Sequence, residues 1–181
     1  MSDQISQIAV IGLDGADWRL LQPWLDADHL PTLKKLIDQG SSGDLVSTIR
    51  PESSVAWSTF ATGVNPGKHG IYGFMSQTDQ VGKFQVANGN LIQANRFWDI
   101  LGHEGKHIGL VNIPFTYPPR PVNGFMMTGM LTPNESVEFT YPAELKTELL
   151  EKFSSLLFDA GDDVTDKQKL LHNSERFTQQ Q

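Results

Sequence analysis

Short, continuous apolar runs alternate along this chain with longer segments in which apolar positions recur every three or four residues. Ile8-Ala9-Val10-Ile11-Gly12-Leu13 is a β-branched run ending at Asp14-Gly15. Its length and continuity predict a strand buried on both faces of a parallel sheet. Gly43 to Ile49, with Leu45, Val46 and Ile49 apolar, reads as a second strand, and Ile108 to Ile113, stopped by Pro114, as a third. Between them, Trp18, Leu20, Leu21, Trp24 and Leu25 form a helical stripe that Pro23 interrupts. Leu30 to Gly40 predicts a helix with Pro31 near its first position and Gly40 at its stop. Val55 to Ala61 and Phe97 to Leu101 suit short helices, Phe84 and Val86 a hairpin strand, and Phe125 to Leu131 a strand broken at Gly129. Pro142 to Phe158 places Leu145, Leu149, Leu150 and Phe153 on one helical face. The order strand, helix, helix, strand, helix, helix, strand is an α/β pattern without internal repeats. Residues 1–160 read as the folded body and residues 161–181 as a helical or disordered tail.

Composition narrows the classes of function. The 181 residues carry 14 basic and 21 acidic side chains, a net charge of −7. A non-specific nucleic-acid binder needs a basic face, so no nucleic-acid binding is expected. A phosphorylated substrate remains compatible, because a bound metal ion inverts the local field. There is no cysteine, hence no disulfide, no thiolate metal site and no cysteine nucleophile. The N-terminus lacks a basic leader, and Ile8–Leu13 is too short for a signal core or a membrane span. The expectation is a soluble cytoplasmic protein without a membrane association.

Chemistry-bearing residues concentrate between Pro51 and Phe74: the pair Ser53-Ser54, a short apolar run, a Thr62-Gly63 stop and the turn Asn65-Pro66-Gly67-Lys68-His69-Gly70. A hydroxyl nucleophile needs activation by a base or metal. At a helix N-terminus it would also meet backbone N–H groups suited to an anion. The plainer reading makes Ser53 or Ser54 an N-cap. Asp14 likewise stands where a strand would end, the usual place for function in parallel sheets, or is simply part of a turn or a cap.

Three other motifs do not carry their usual chemistry. Gly63 to His69 has three residues between its glycines instead of the four of a phosphate loop, and His69 replaces the Mg²⁺-binding hydroxyl. His103-Glu104-Gly105-Lys106-His107 spells a zinc-protease string, but Gly105 and the strand-like run after His107 break the helix that would align the two histidines. Tyr117-Pro118-Pro119 lies between apolar segments and reads as an ordered loop rather than a ligand for a proline-binding module. His29 and His172 stand alone and read as surface residues.

Taken together, Gly12-Leu13-Asp14-Gly15, Pro51-Glu52-Ser53-Ser54-Val55-Ala56-Trp57 and Ala61-Thr62-Gly63-Val64-Asn65-Pro66-Gly67-Lys68-His69-Gly70-Ile71 resemble the type I phosphodiesterase/nucleotide pyrophosphatase family of the alkaline phosphatase superfamily. Phe97-Trp98-Asp99-Ile100-Leu101, Val111 to Pro119 and Asn123-Gly124-Phe125 look like its bacterial and archaeal branch. The resemblance extends to about Leu145. It implies an α/β/α sandwich around a mainly parallel sheet, and hydrolysis of phosphate esters or phosphodiesters with two zinc ions. It places a metal ligand at Asp14 and the nucleophile, also a metal ligand, at Ser53, four residues before Trp57. The implied reaction passes through a phosphoseryl intermediate.

The resemblance is partial. Eukaryotic relatives carry an Asn after the His-Gly-Ile block to hold a phosphoryl oxygen; here the matching residue is Phe74. The family's downstream metal ligands, an Asp-x-x-x-His segment and an Asp-His pair, have no counterpart, and the Asp-rich stretch from Asp159 to Asp166 has no His at the right spacing. Two zinc ions take roughly six to eight protein ligands, and two are assigned. The expectation is a truncated or split chain, inactive alone, whose partner would be a missing C-terminal half. The second reading is a non-catalytic remnant or binding domain of the same fold. A sulfatase is disfavoured, because Ser53-Ser54-Val55-Ala56-Trp57 lacks the Pro and Arg that follow its nucleophile.

Overall fold

Most of the helical stripes become helices, while two of the three strongest strand patterns do not become strands. In the computed structural model, residues 7–153 and 156 are described. The chain divides into two compact units, residues 1–46 and 47–181.

In the first unit, α1 (Trp18–Asp26) and α2 (Pro31–Gln39) pack as a pair. Asp17 caps α1: its carboxylate accepts from the Arg19 N–H at 2.7 Å and from the Arg19 guanidinium at 3.0 and 2.9 Å. These bonds lower the Asp17 pKa to about 2. Pro23 lies inside α1 without splitting it. Pro31 occupies the first turn of α2, where its missing N–H removes no intrahelical bond.

The expected strands Ile8–Leu13 and Gly43–Ile49 are absent. Ile8 and Ile11 are 78% and 81% exposed, and Leu45 and Val46 93% and 90%. A β-branched run becomes a buried strand only when neighbouring strands complete its ladder on both sides. Among the described residues no strand pairs with either run.

The second unit holds α3 (Ser53–Thr62) and the single turn α4 (Pro66–His69), then the antiparallel hairpin β1 (Met75–Gln77) and β2 (Phe84–Val86). Next come α5 (Phe97–His103), β3 (Ile108–Ile113), β4 (Gly124–Thr128), β5 (Thr140–Tyr141) and α6 (Glu144–Lys152). The main sheet has the order β3-β4-β5, parallel between β3 and β4 and antiparallel between β4 and β5. The architecture is mixed α/β.

Burial explains the arrangement. Ala61 of α3, Trp98 of α5, and Ile108, Leu110 and Met126 of the sheet form one core cluster. Edge-on ring contacts from Trp57 through Phe60 and Phe97 to Trp98 tie α3 to α5. A second cluster joins Ile71, Ala87, Ile92 and Phe115, with Phe74 and Leu131 against it. A third joins Met127, Phe139 and Leu156, covered by Leu149, Leu150 and Phe153.

Helix α6 ends at Lys152, and Phe153 is already extended. The helix expected to reach Phe158 therefore stops early, its remainder lying largely outside the described residues. The expected tail, the Asp159–Asp166 stretch and His172 lie outside them as well. No helix among the described residues is long and apolar enough to cross a membrane.

Candidate active site

Ser53 is the first residue of α3, and the N-cap is Glu52, in extended conformation. The Glu52 carbonyl accepts from the Val55 and Ala56 N–H groups at 3.0 and 2.9 Å, which starts the helix. Neither serine is therefore the cap. The Glu52 carboxylate does not cap the helix either. It accepts from the Ser54 hydroxyl at 2.9 Å and the Phe74 N–H at 3.0 Å, and pairs with the Arg50 guanidinium at 3.3 Å. Arg50 in turn donates to the Tyr72 carbonyl at 3.3 Å. The peptide entering Ser53 is thus pinned to the loop at 72–74. Gly73 leaves room for the clamp, since a Cβ there would lie 3.2 Å from the carboxylate. Ser53 itself is half-buried.

Behind Ser53, α3 buries its hydroxyls by returning them to its own backbone. Ser58 and Thr62 donate to the carbonyls of Ser54 and Ser58, each at 2.7 Å. Gly63 closes the helix with a left-handed φ of 66°. At the end of α4, His69 is fully buried. Its Nδ1 accepts from the Ile71 N–H at 3.1 Å, so the ring proton sits on Nε2, which donates to Thr59 Oγ1 at 3.0 Å. Burial lowers the His69 pKa. Both nitrogens are engaged, so His69 braces the α3–α4 turn and is not placed to ligate a metal. The Thr62–Gly70 block shapes the loop, as its departure from the phosphate-loop spacing implied.

Asp14 lies in the first unit, exposed, in a turn completed by Gly15 at φ 68°. The cap of the following helix is Asp17, not Asp14. Asp14 and Ser53 belong to separate units. The His103–His107 string also resolves as the residues imply: α5 ends at His103, Gly105 is left-handed at φ 75°, and β3 begins at Ile108.

The zinc expectation can be weighed against the donors. No three His, Cys, Asp or Glu side chains among the described residues gather as a metal site. Asp14 and Ser53 alone do not make a two-zinc centre. The described donor set therefore does not fit the pair of ions.

Two residues gain a role only in the structure. Glu52 carries no signal by type or spacing, because its three partners come together only when the loop at 72–74 folds back. Asn112 sat unremarked inside a strand pattern; the structure makes it a bulge in β3.

No curated protein and no solved structure matches the chain. The family model described as "Type I phosphodiesterase / nucleotide pyrophosphatase" matches residues 8–177. That span takes in the Asp14 turn, the Ser53 helix start and the α/β body, and on it the chain belongs to the type I phosphodiesterase/nucleotide pyrophosphatase family.

Proposed function

We propose that this chain carries the nucleophile-bearing part of a phosphoester hydrolase acting on phosphate esters or phosphodiesters. The observation that carries the proposal is the placement of Ser53 at the first position of α3, with its entering peptide pinned by the Glu52 carboxylate. In this reading Ser53 Oγ attacks phosphorus, a serine–phosphate bond forms, and the ester's alcohol departs. Water then hydrolyses the phosphoserine and restores the hydroxyl. N–H groups in the first turn of α3 face the developing negative charge on the phosphoryl oxygens. In this reading Asp14 would be one ligand of a two-zinc centre whose other donors the described residues do not supply, and the parallel β3–β4 pair would be part of an alkaline-phosphatase-like α/β/α sandwich.

The short donor set among the described residues favours a second reading, a non-catalytic domain of the same fold. It also sets the expected rate: this polypeptide alone turns over a phosphodiester far below enzyme-like rates. Bis(4-nitrophenyl) phosphate with added zinc separates the readings. Slow nitrophenolate release that disappears in Ser53→Ala, with a phosphate adduct on Ser53 by mass spectrometry, supports the hydrolase. Release that is identical in Ser53→Ala, or absent altogether, leaves the non-catalytic domain. Fast release would mean that the metal ligands are complete within this chain.

A further inference from the structure

Helix α3 has two unlike sides. Ser54, Val55, Ser58 and Ala61 are buried and fix the helix to the second unit. Ser53, Trp57 and Phe60 stand at positions i, i+4 and i+7 of the same helix, which places them on one face. That face is open: Ser53 and Trp57 are half-buried, and Phe60 is 41% exposed. The residue proposed as nucleophile therefore shares an accessible surface with two aromatic side chains.

The aromatic pair is fixed in place. Trp57 and Phe60 meet edge-on, with ring centroids 5.7 Å apart. Phe60 meets Phe97 of α5 at 5.6 Å, and Phe97 meets Trp98 at 4.9 Å, both edge-on. Trp98 is 2% exposed and belongs to the main core cluster. A chain of ring contacts thus runs from the core to the open face and sets the plane of the Trp57 indole. A ring held in this way loses little freedom when a second ring stacks on it.

The direction of the side chain matters as much as its position. Helical side chains lean toward the N-terminus, so Trp57 covers the surface over the turn that begins at Ser53. One turn of helix rises about 5.4 Å. That short span suits a ring joined to phosphorus through a single oxygen better than a base carried a sugar away. None of the ten residues of α3 is charged, so the helix supplies no partner for a charged group on that ring.

We propose that Trp57, steadied by Phe60, is a specificity-determining residue that stacks on the aromatic ring of an aryl phosphate ester whose phosphorus lies at Ser53. The substrate class is then aryl phosphate mono- or diesters. This rests on Ser53 being the nucleophile of the same site.

The test is calorimetric binding of phenyl phosphate and methyl phosphate to the full chain. Wild type is expected to prefer phenyl phosphate about tenfold, the upper range for one well-placed ring pair. Trp57→Ala is expected to erase the preference, whereas Trp57→Phe keeps a ring and retains most of it. Trp57→Leu is the second truncation should the alanine variant fail to fold, each variant being checked by thermal melting. Ser53→Asp, which sets a negative charge beside the phosphate, is expected to weaken phenyl phosphate at least about tenfold. Equal binding of the two probes by wild type, no binding of either, or a preference that survives both truncations would overturn the proposal. Phenyl phosphate binding untouched by Ser53→Asp would place the ring away from Ser53 and overturn it too. The two readings fail separately. A phosphate adduct on Ser53 without the ring preference leaves the hydrolase and removes the role of Trp57. Nitrophenolate release that is unchanged in Ser53→Ala, with the ring preference intact, removes the nucleophile and leaves Trp57 as a ring-binding residue.

Discussion

The stretch from Pro51 to Phe74 and the runs Ile8–Leu13 and Leu45–Ile49 are the most suggestive parts of the sequence, and they behave in opposite ways. The first forms a helix and a turn whose buried polar groups nearly all find partners within about 20 residues along the chain: Ser54 with Glu52, Ser58 with Ser54, His69 with Thr59 and Ile71, Phe74 with Glu52. In the second, the large apolar residues lie outside any strand and are exposed. The difference teaches that helix and turn patterns carry their own hydrogen-bond partners, whereas a strand pattern states only a demand for neighbours.

Mutations sharpen that contrast. The largest effect is expected where α3 and α5 meet the sheet: Trp98, 2% exposed, packs in the same cluster as Ala61 and Met126. Trp98→Ala should destabilise the second unit by about 3–5 kcal/mol in urea unfolding. A loss below about 1 kcal/mol would mean that this cluster is not a working core.

Next comes the clamp before Ser53. Glu52→Ala strands the Ser54 hydroxyl and the Phe74 N–H, at about 1.5–3 kcal/mol for bonds to a charged group. Hydrogen exchange at the Phe74 amide should accelerate, with less change in Glu52→Gln, which keeps an acceptor. Unchanged exchange in Glu52→Ala would remove the clamp from the account of the site.

A smaller effect follows pH. His69 is held neutral, with a folded pKa below its ordinary value of 6.5. Its contribution is complete above that value and is lost as pH falls from about 6.5 toward the folded pKa, because the unfolded chain takes up the proton first. Asp17 acts in a lower window: with a folded pKa of about 2 against 3.8, its contribution declines only as pH falls through that interval. Melting curves of wild type and His69→Gln between pH 7 and pH 5 check the first statement. The variant should lose most of the slope in that range, and an equal slope in both would assign it to other groups.

The smallest effect is expected in the exposed run. Ile11→Ala, at a side chain 81% exposed, should change stability by no more than about 0.5 kcal/mol. A loss comparable to that of Trp98→Ala would show that the run is buried against something in solution, and would dissolve the contrast between the two regions.

Much of the local structure was legible beforehand. The stripe Trp18–Leu25, the Leu30–Gly40 pattern and the Val55–Ala61 run became α1, α2 and α3, because propensity, caps and stop residues act within a few positions of one another. The β-branched run Ile108–Ile113 became β3, with β4 beside it as a parallel partner. The glycine expected to break the next strand is the one packed against Asn112. Ser53 opens α3, a position that the helix-start signals around it account for.

What the sequence by itself determined is therefore the set of helices, the family, and the residue types available for chemistry: serine, aspartate and histidine without cysteine. Only the tertiary structure decided which of those groups are already committed. It took both nitrogens of His69 into the α3–α4 brace, turned Glu52 into the clamp beside Ser53, and left the buried amide oxygen of Asn112 without a hydrogen-bond partner among the described residues. The reason is physical: a side chain's type sets what bonds it can make, but which of them it makes depends on groups up to 22 residues away that reach it only after the chain has folded.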